Sequence, residues 1–68
     1  MVPQEREYAV LASHWGRHWD VFVLDPVEGL LGSTEAVTLA EVEYAARRFL
    51  GQRLRRPPRR FRLTVLRS

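Results

Sequence analysis

The chain contains no cysteine and no lysine, and only two of its residues are histidine. Without cysteine there can be neither a disulfide nor a thiolate zinc site, so the composition fits a reducing compartment. No apolar run approaches the roughly 18 residues of a membrane span, and the first six residues lead into no signal-peptide-like segment. We therefore expect one cytoplasmic domain over residues 1–68, with residues 1–5 as a flexible lead-in.

Acidic residues are missing from the last third of the sequence. Residues 1–46 carry two arginines against all eight carboxylates, a net charge of −6, whereas residues 47–68 carry nine arginines and no carboxylate, a net charge of +9. The overall charge of +3 therefore conceals a chain that is polarised along its length. The absence of lysine is explained as readily by coding bias as by chemistry.

Residues 38–54 have a sustained helical period and their own start signal. Apolar residues recur at three- and four-residue steps, at Leu39, Val42, Ala46, Phe49 and Leu50. Thr38 and Glu41 have the spacing of a capping box, in which the hydroxyl accepts an amide of the first turn. Glu43 and Arg47 are spaced for an (i, i+4) ion pair. The sequence predicts a capped amphipathic helix, and each large side chain of its stripe contributes roughly 1.5–3 kcal/mol when buried.

Alternation of apolar and polar residues predicts four strands, over residues 6–14, 19–24, 30–33 and 60–66. The turn between the first two spans residues 15–18, where Gly16 can adopt a positive φ. The third strand is weakened by glycine. In the last strand, Phe61, Leu63 and Val65 are predicted to face inward.

The element order β-β-β-α-β predicts a two-layer α+β fold. An antiparallel three-stranded meander carries the helix on one face, and the fourth strand lies parallel to the first after a right-handed crossover. The other sheet face stays open, and the sequence does not decide which alternating residues line it. Such a face commonly binds another chain or a second copy, so we expect a homodimer.

Candidate catalytic and metal-binding groups are scattered along the sequence. Asp20, Asp25, Glu28 and Glu35 have no spacing that enforces convergence, and we interpret them as surface charges. His14 and His18 could supply an acid and a base for RNA cleavage, but across a turn they are more typical of rim groups on a hairpin. We predict no catalytic residue, no metal and no cofactor, and therefore no enzyme.

An arginine cluster is the strongest polar signal, and it comprises Arg53, Arg55, Arg56, Arg59, Arg60 and Arg62. These side chains could neutralise phosphates, with Phe61 and Tyr44 as stacking groups. Alternatively, they complement an acidic protein partner or the acidic first half of this chain. A second set, Trp15, Trp19 and Tyr44, supplies candidate interface residues. We expect Trp19 to lie in the core and Trp15 to be partly exposed.

Five segments together resemble the HicB-like antitoxin family over residues 6–66. They are Tyr8-Ala9-Val10, Trp19-Asp20-Val21-Phe22-Val23, Val27-Glu28-Gly29, Gly32-Ser33-Thr34-Glu35-Ala36-Val37-Thr38-Leu39-Ala40-Glu41-Val42-Glu43 and Ala46-Arg47-Arg48-Phe49-Leu50. Their order, rather than any single segment, carries the resemblance. One departure is the loop Asp25-Pro26-Val27-Glu28-Gly29, which replaces the family's usual Pro-Asp-Leu-Pro-Gly.

The resemblance implies a partial RNase H-like fold without the catalytic carboxylates of the nuclease. It also implies a non-catalytic domain that binds and neutralises a small HicA-like ribonuclease toxin. Many members of the family carry a C-terminal DNA-binding segment. Because this sequence ends at Ser68, directly after the predicted fourth strand, we expect a stand-alone domain.

Overall fold

The computed structural model of the protein describes residues 7–55 and 61–67. Its elements are β1 (Glu7–Trp15), β2 (His18–Asp25), β3 (Gly29–Ala36), α1 (Leu39–Leu54) and β4 (Arg62–Arg67). The strands form one sheet in the order β3-β2-β1-β4. β2 pairs antiparallel with both β1 and β3, whereas β4 pairs parallel with β1. The predicted α+β architecture is confirmed, while the lead-in and the turn at residues 56–59 lie outside the described residues.

The β1–β2 hairpin is tighter than the sequence predicted. Trp15 pairs directly with His18, so the loop contains only Gly16 and Arg17. Gly16 has φ = 58°, while the φ of Arg17 is not positive. A positive φ at the first loop residue alone is the pattern of a type II′ turn, which suits a two-residue hairpin.

Strand β3 is twice as long as the predicted strand. It continues to Ala36, which pairs with Trp19 of β2. The register of the β2–β3 ladder shifts between Val23 and Leu24. Val23 is opposite Gly32 but Leu24 is opposite Leu30, so β3 contains one extra residue at this point, as in a β-bulge. Pairing with residues 19–25 of β2 therefore overrides the weak strand propensity that glycine confers.

Helix α1 has the predicted buried stripe but not the predicted cap. Thr38 is extended, with φ = −125° and ψ = 158°, and its side chain makes no capping hydrogen bond. The first turn is closed instead by the Glu41 N–H, which donates to the Thr38 carbonyl at 3.1 Å. At the other end Arg55 adopts a left-handed conformation and its N–H donates to the Gly51 carbonyl. The capping-box prediction was therefore wrong in its side-chain chemistry, although Thr38 is the N-cap residue.

The core lies between α1 and one face of the sheet. Its fully buried residues are Val10, Ala12, Val21, Val23, Val42, Ala46 and Leu50. At one end of this core, the rings of Tyr8 and Phe61 make an edge-to-face contact with centroids 5.8 Å apart. These residues identify the covered side of the sheet, which the alternation in the sequence left open.

Val65 lies on the predicted side of the sheet but is not buried. It pairs with Val10 and so lies on the helix side of the sheet, yet it remains 39% exposed. The reason is that α1 packs mainly over β3 and β2, and less over β1. The helix does not cover β4 to the same extent, so Leu63 is only partly buried as well.

Candidate functional site

The face of the sheet opposite α1 presents two apolar rows. The ladder aligns Leu30, Leu24, Ala9 and Thr64 in one row and Ser33, Phe22, Leu11 and Leu66 in the next. Among these side chains Leu30 is 61% exposed, Leu66 is 53% exposed and Leu11 is 36% exposed. We call the side chains of Ala9, Leu11, Phe22, Leu24, Leu30 and Leu66 the open face.

The open face is bounded by charged groups at both ends. At one end, Glu7 of β1 is the cross-strand neighbour of Arg62 on β4. The Glu7 carboxylate also accepts a hydrogen bond from the Thr64 hydroxyl. At the other end lie His18, Asp20 and Glu35, which we call the His18 cluster. The apolar rows are therefore framed by polar groups, as at the rim of a protein interface.

The His18 cluster arises from the register of the sheet. His18 and Asp20 are two residues apart in β2 and share a face, and His18 Nε2 lies 3.1 Å from Asp20 Oδ1. Glu35 is the direct partner of Asp20 on β3. The ligand atoms of these three side chains lie within 4.8 Å of one another. The sequence did not predict this convergence, because it depends on the β2–β3 pairing.

The remaining two acidic candidates lie elsewhere. Asp25 is buried at the end of β2, where Oδ1 accepts the N–H groups of Val27 at 2.7 Å and Glu28 at 3.0 Å. This carboxylate therefore organises the β2–β3 turn. Glu28 is exposed in that turn, away from Asp20 and Glu35.

The two histidines do not form a pair. His14 pairs with Trp19 on the helix side of the sheet, and their rings stack with centroids 4.6 Å apart. His18 faces the opposite side, where it pairs with Trp15. Two imidazoles on opposite faces of one sheet cannot act on the same bond, so this geometry does not support the acid–base pair considered above.

The three candidate interface residues also separate. Trp15 is 63% exposed beside His18. Trp19 is only partly buried and packs against the edge of the core, whereas the sequence predicted it within the core. Tyr44 lies on the outer surface of α1, 62% exposed, with the Arg48 guanidinium 6.0 Å from its ring centroid. Tyr44 and Arg48 both line a groove of about 350 Å³ between α1 and β3. Only Trp15 borders the open face.

The arginine cluster is only partly described. Arg53 lies in the last turn of α1 and Arg55 caps it, and both side chains are exposed. Arg62 begins β4 and is also exposed. Arg56, Arg59 and Arg60 lie outside the described residues.

No protein-family model, no curated protein and no solved structure matches this chain. The HicB-like resemblance therefore stays a prediction. Among the described residues, the single helix is too short and too polar to cross a bilayer.

Proposed function

We propose that this protein is a non-catalytic binding domain that docks a small basic protein on its open face. The observation that carries this proposal is the alignment of exposed Leu30, Leu11 and Leu66 with half-buried Phe22 and Leu24 on one side of a four-stranded sheet. Sheets that face water on one side normally alternate apolar residues inward with polar residues outward. Contiguous apolar side chains on the solvent face are typical of an interaction surface.

Charge at the margin of the open face supports a basic partner. Asp20 and Glu35 lie at its hairpin end, and no described arginine or lysine pairs with them across β2 and β3. A partner with an apolar patch and a basic rim would bury the leucines and place cations against these carboxylates. Such complementarity raises the association rate and selects the partner.

The resemblance to HicB-like antitoxins indicates which class of basic protein the partner belongs to. A HicA-like ribonuclease toxin is small and basic, and its neutralisation requires binding rather than catalysis. The β-β-β-α-β order of the fold agrees with what the resemblance implies. We therefore propose toxin neutralisation as the role of the binding domain.

Inhibition of a purified toxin tests this role. A HicA-like ribonuclease encoded next to this protein's gene is expected to cleave RNA alone and to lose that activity when one equivalent of the protein is added. Leu11→Arg and Leu66→Arg are expected to abolish inhibition, because each places a cation within the apolar rows. Val27→Arg is the matched control, since Val27 is 78% exposed in the β2–β3 turn. Full inhibition by both open-face variants, with their fold verified by circular dichroism, would refute docking at this face.

Nucleic-acid binding is the second candidate function. Arg53 and Arg55 extend from the end of α1 with exposed side chains, and they continue into the arginine-rich residues 56–60. Contacts of this kind release counterions, so the logarithm of affinity would fall steeply with the logarithm of salt concentration. Changing Arg55, Arg56, Arg59 and Arg60 together to glutamine is expected to remove that salt slope. An unchanged slope would eliminate the arginine cluster as the contact.

A further inference from the structure

We propose that the His18 cluster is a surface binding site for a divalent transition-metal ion such as Zn²⁺. Bonds from Zn²⁺ to imidazole nitrogen and carboxylate oxygen are about 2.0–2.2 Å long, so two tetrahedral ligands of one ion lie roughly 3.4 Å apart. The ligand atoms of His18, Asp20 and Glu35 already lie within 4.8 Å of one another. Small side-chain rotations therefore suffice to bring all three onto one ion.

The sheet holds the three ligand-bearing residues in a fixed arrangement. His18 and Asp20 are two residues apart in β2, so their side chains lie on the same face of the sheet. Glu35 on β3 is directly opposite Asp20. Ligands at positions i and i+2 of a strand, together with one on the neighbouring strand, occupy one side of an ion. The other side faces solvent and would be completed by water, as in zinc sites with three protein ligands.

The chemistry of the ligands selects the class of ion. Magnesium and calcium prefer sets made entirely of oxygen, whereas imidazole favours zinc, nickel, cobalt and copper. His18 therefore sets this cluster apart from an ordinary group of surface carboxylates. Its Nε2 is already directed at Asp20 Oδ1, 3.1 Å away.

The charge pattern gives a second reason for a cation. Asp20 and Glu35 are cross-strand partners, and like charges directly opposite each other destabilise a sheet. His18 contacts only one of these two carboxylates, that of Asp20. In the absence of a basic partner, a divalent ion would neutralise both carboxylates at once. The pair is thus a position where binding of a metal relieves an unfavourable contact in the apo protein.

Calorimetric titration of the untagged protein with Zn²⁺ alone tests the site. One ion is expected to bind per chain. His18→Ala, Asp20→Asn and Glu35→Gln are each expected to weaken binding at least about tenfold, since loss of even an outer contact to a metal ligand costs that much. His14→Ala is the matched control, because His14 lies on the other face of the sheet. Absence of binding at millimolar Zn²⁺, or equal weakening in His14→Ala, would overturn the proposal.

The fluorescence of Trp15 gives an independent readout of position. Trp15 is the cross-strand partner of His18 and shares its face, while Trp19 lies on the helix side. Ni²⁺ quenches indole emission only over short distances. In Trp19→Phe, which retains Trp15 alone, Ni²⁺ is expected to quench the emission saturably, and adding His18→Ala is expected to remove the saturable phase. Quenching that persists unchanged without His18 would place the ion elsewhere and refute this site.

Discussion

Arg47 joins the helix to the last strand through the carbonyl of Phe61. Its Nη1 donates to that carbonyl at 2.6 Å, while its Nε and Nη2 donate to Glu43 Oε1 at 3.2 and 2.9 Å. The predicted (i, i+4) pair is therefore confirmed. It also orients the guanidinium towards the residue that precedes β4, which the spacing of Glu43 and Arg47 could not show.

Replacing Arg47 is expected to destabilise the fold more than replacing its ion-pair partner. Arg47→Gln removes the contact with the Phe61 carbonyl, and a hydrogen bond to a charged group contributes about 1.5–3 kcal/mol. Glu43→Gln loses only a surface pair, worth about 0.3–0.5 kcal/mol, because the side chain of Glu43 is 57% exposed. Urea unfolding of both variants measures the difference, and equal losses would contradict a special role for the Phe61 carbonyl.

Gly32 is expected to tolerate no side chain while Phe49 is present. A Cβ at Gly32 would lie 2.6 Å from the nearest carbon of the Phe49 ring. Because the ring packs against the core, we expect Gly32→Ala to cost about 1–3 kcal/mol of stability, as overpacking does.

A double-mutant cycle identifies the source of that cost. In a Phe49→Leu background, Gly32→Ala is expected to cost less, since the shorter side chain makes room for the new methyl group. The free energies of unfolding of the four proteins give the coupling. Strict additivity would show that the backbone of β3, and not the Phe49 ring, resists the substitution.

Removing one carboxylate from the His18 cluster is expected to stabilise the protein in the presence of a chelator. Glu35→Gln relieves the repulsion with Asp20, and cross-strand pair terms are about 0.2–1 kcal/mol. Glu28→Gln, in the exposed turn, is expected to change stability much less. A loss of stability in Glu35→Gln without metal would mean that Glu35 makes a favourable contact that outweighs the repulsion.

Self-association through the open face is a separate expectation. Without a partner, two copies can bury Leu11 and Leu66 against each other, and most symmetric dimers use one self-complementary patch. Sedimentation velocity is expected to show a dimer for the wild type and for Val27→Arg, but a monomer for Leu11→Arg. A wild-type monomer at high concentration would remove the homodimer expectation, and a dimer of Leu11→Arg would assign it to another surface.

Much of the fold was predictable because its signals are local. The 3.6-residue period from Leu39 to Leu50 identified the stripe that is buried, since a helix presents every third or fourth residue on one side. Alternation in β1 and β2 identified the strands, and Gly16 marked their turn. The Thr38 side chain failed to cap the helix, which shows that a correct spacing does not fix a rotamer.

The candidate site depended on information that is not local. Alternation gives two equivalent faces to every strand, and only the packing of α1 over β2 and β3 decided that Phe22 and Leu11 remain uncovered. The ladder register brought Asp20 opposite Glu35 and separated His14 from His18. The sequence alone thus determined, through its residue types and their periods, which segments form the helix and the strands. Which residues meet is set by the pairing of strands distant along the chain, because a shift of one residue exchanges the two faces of a strand.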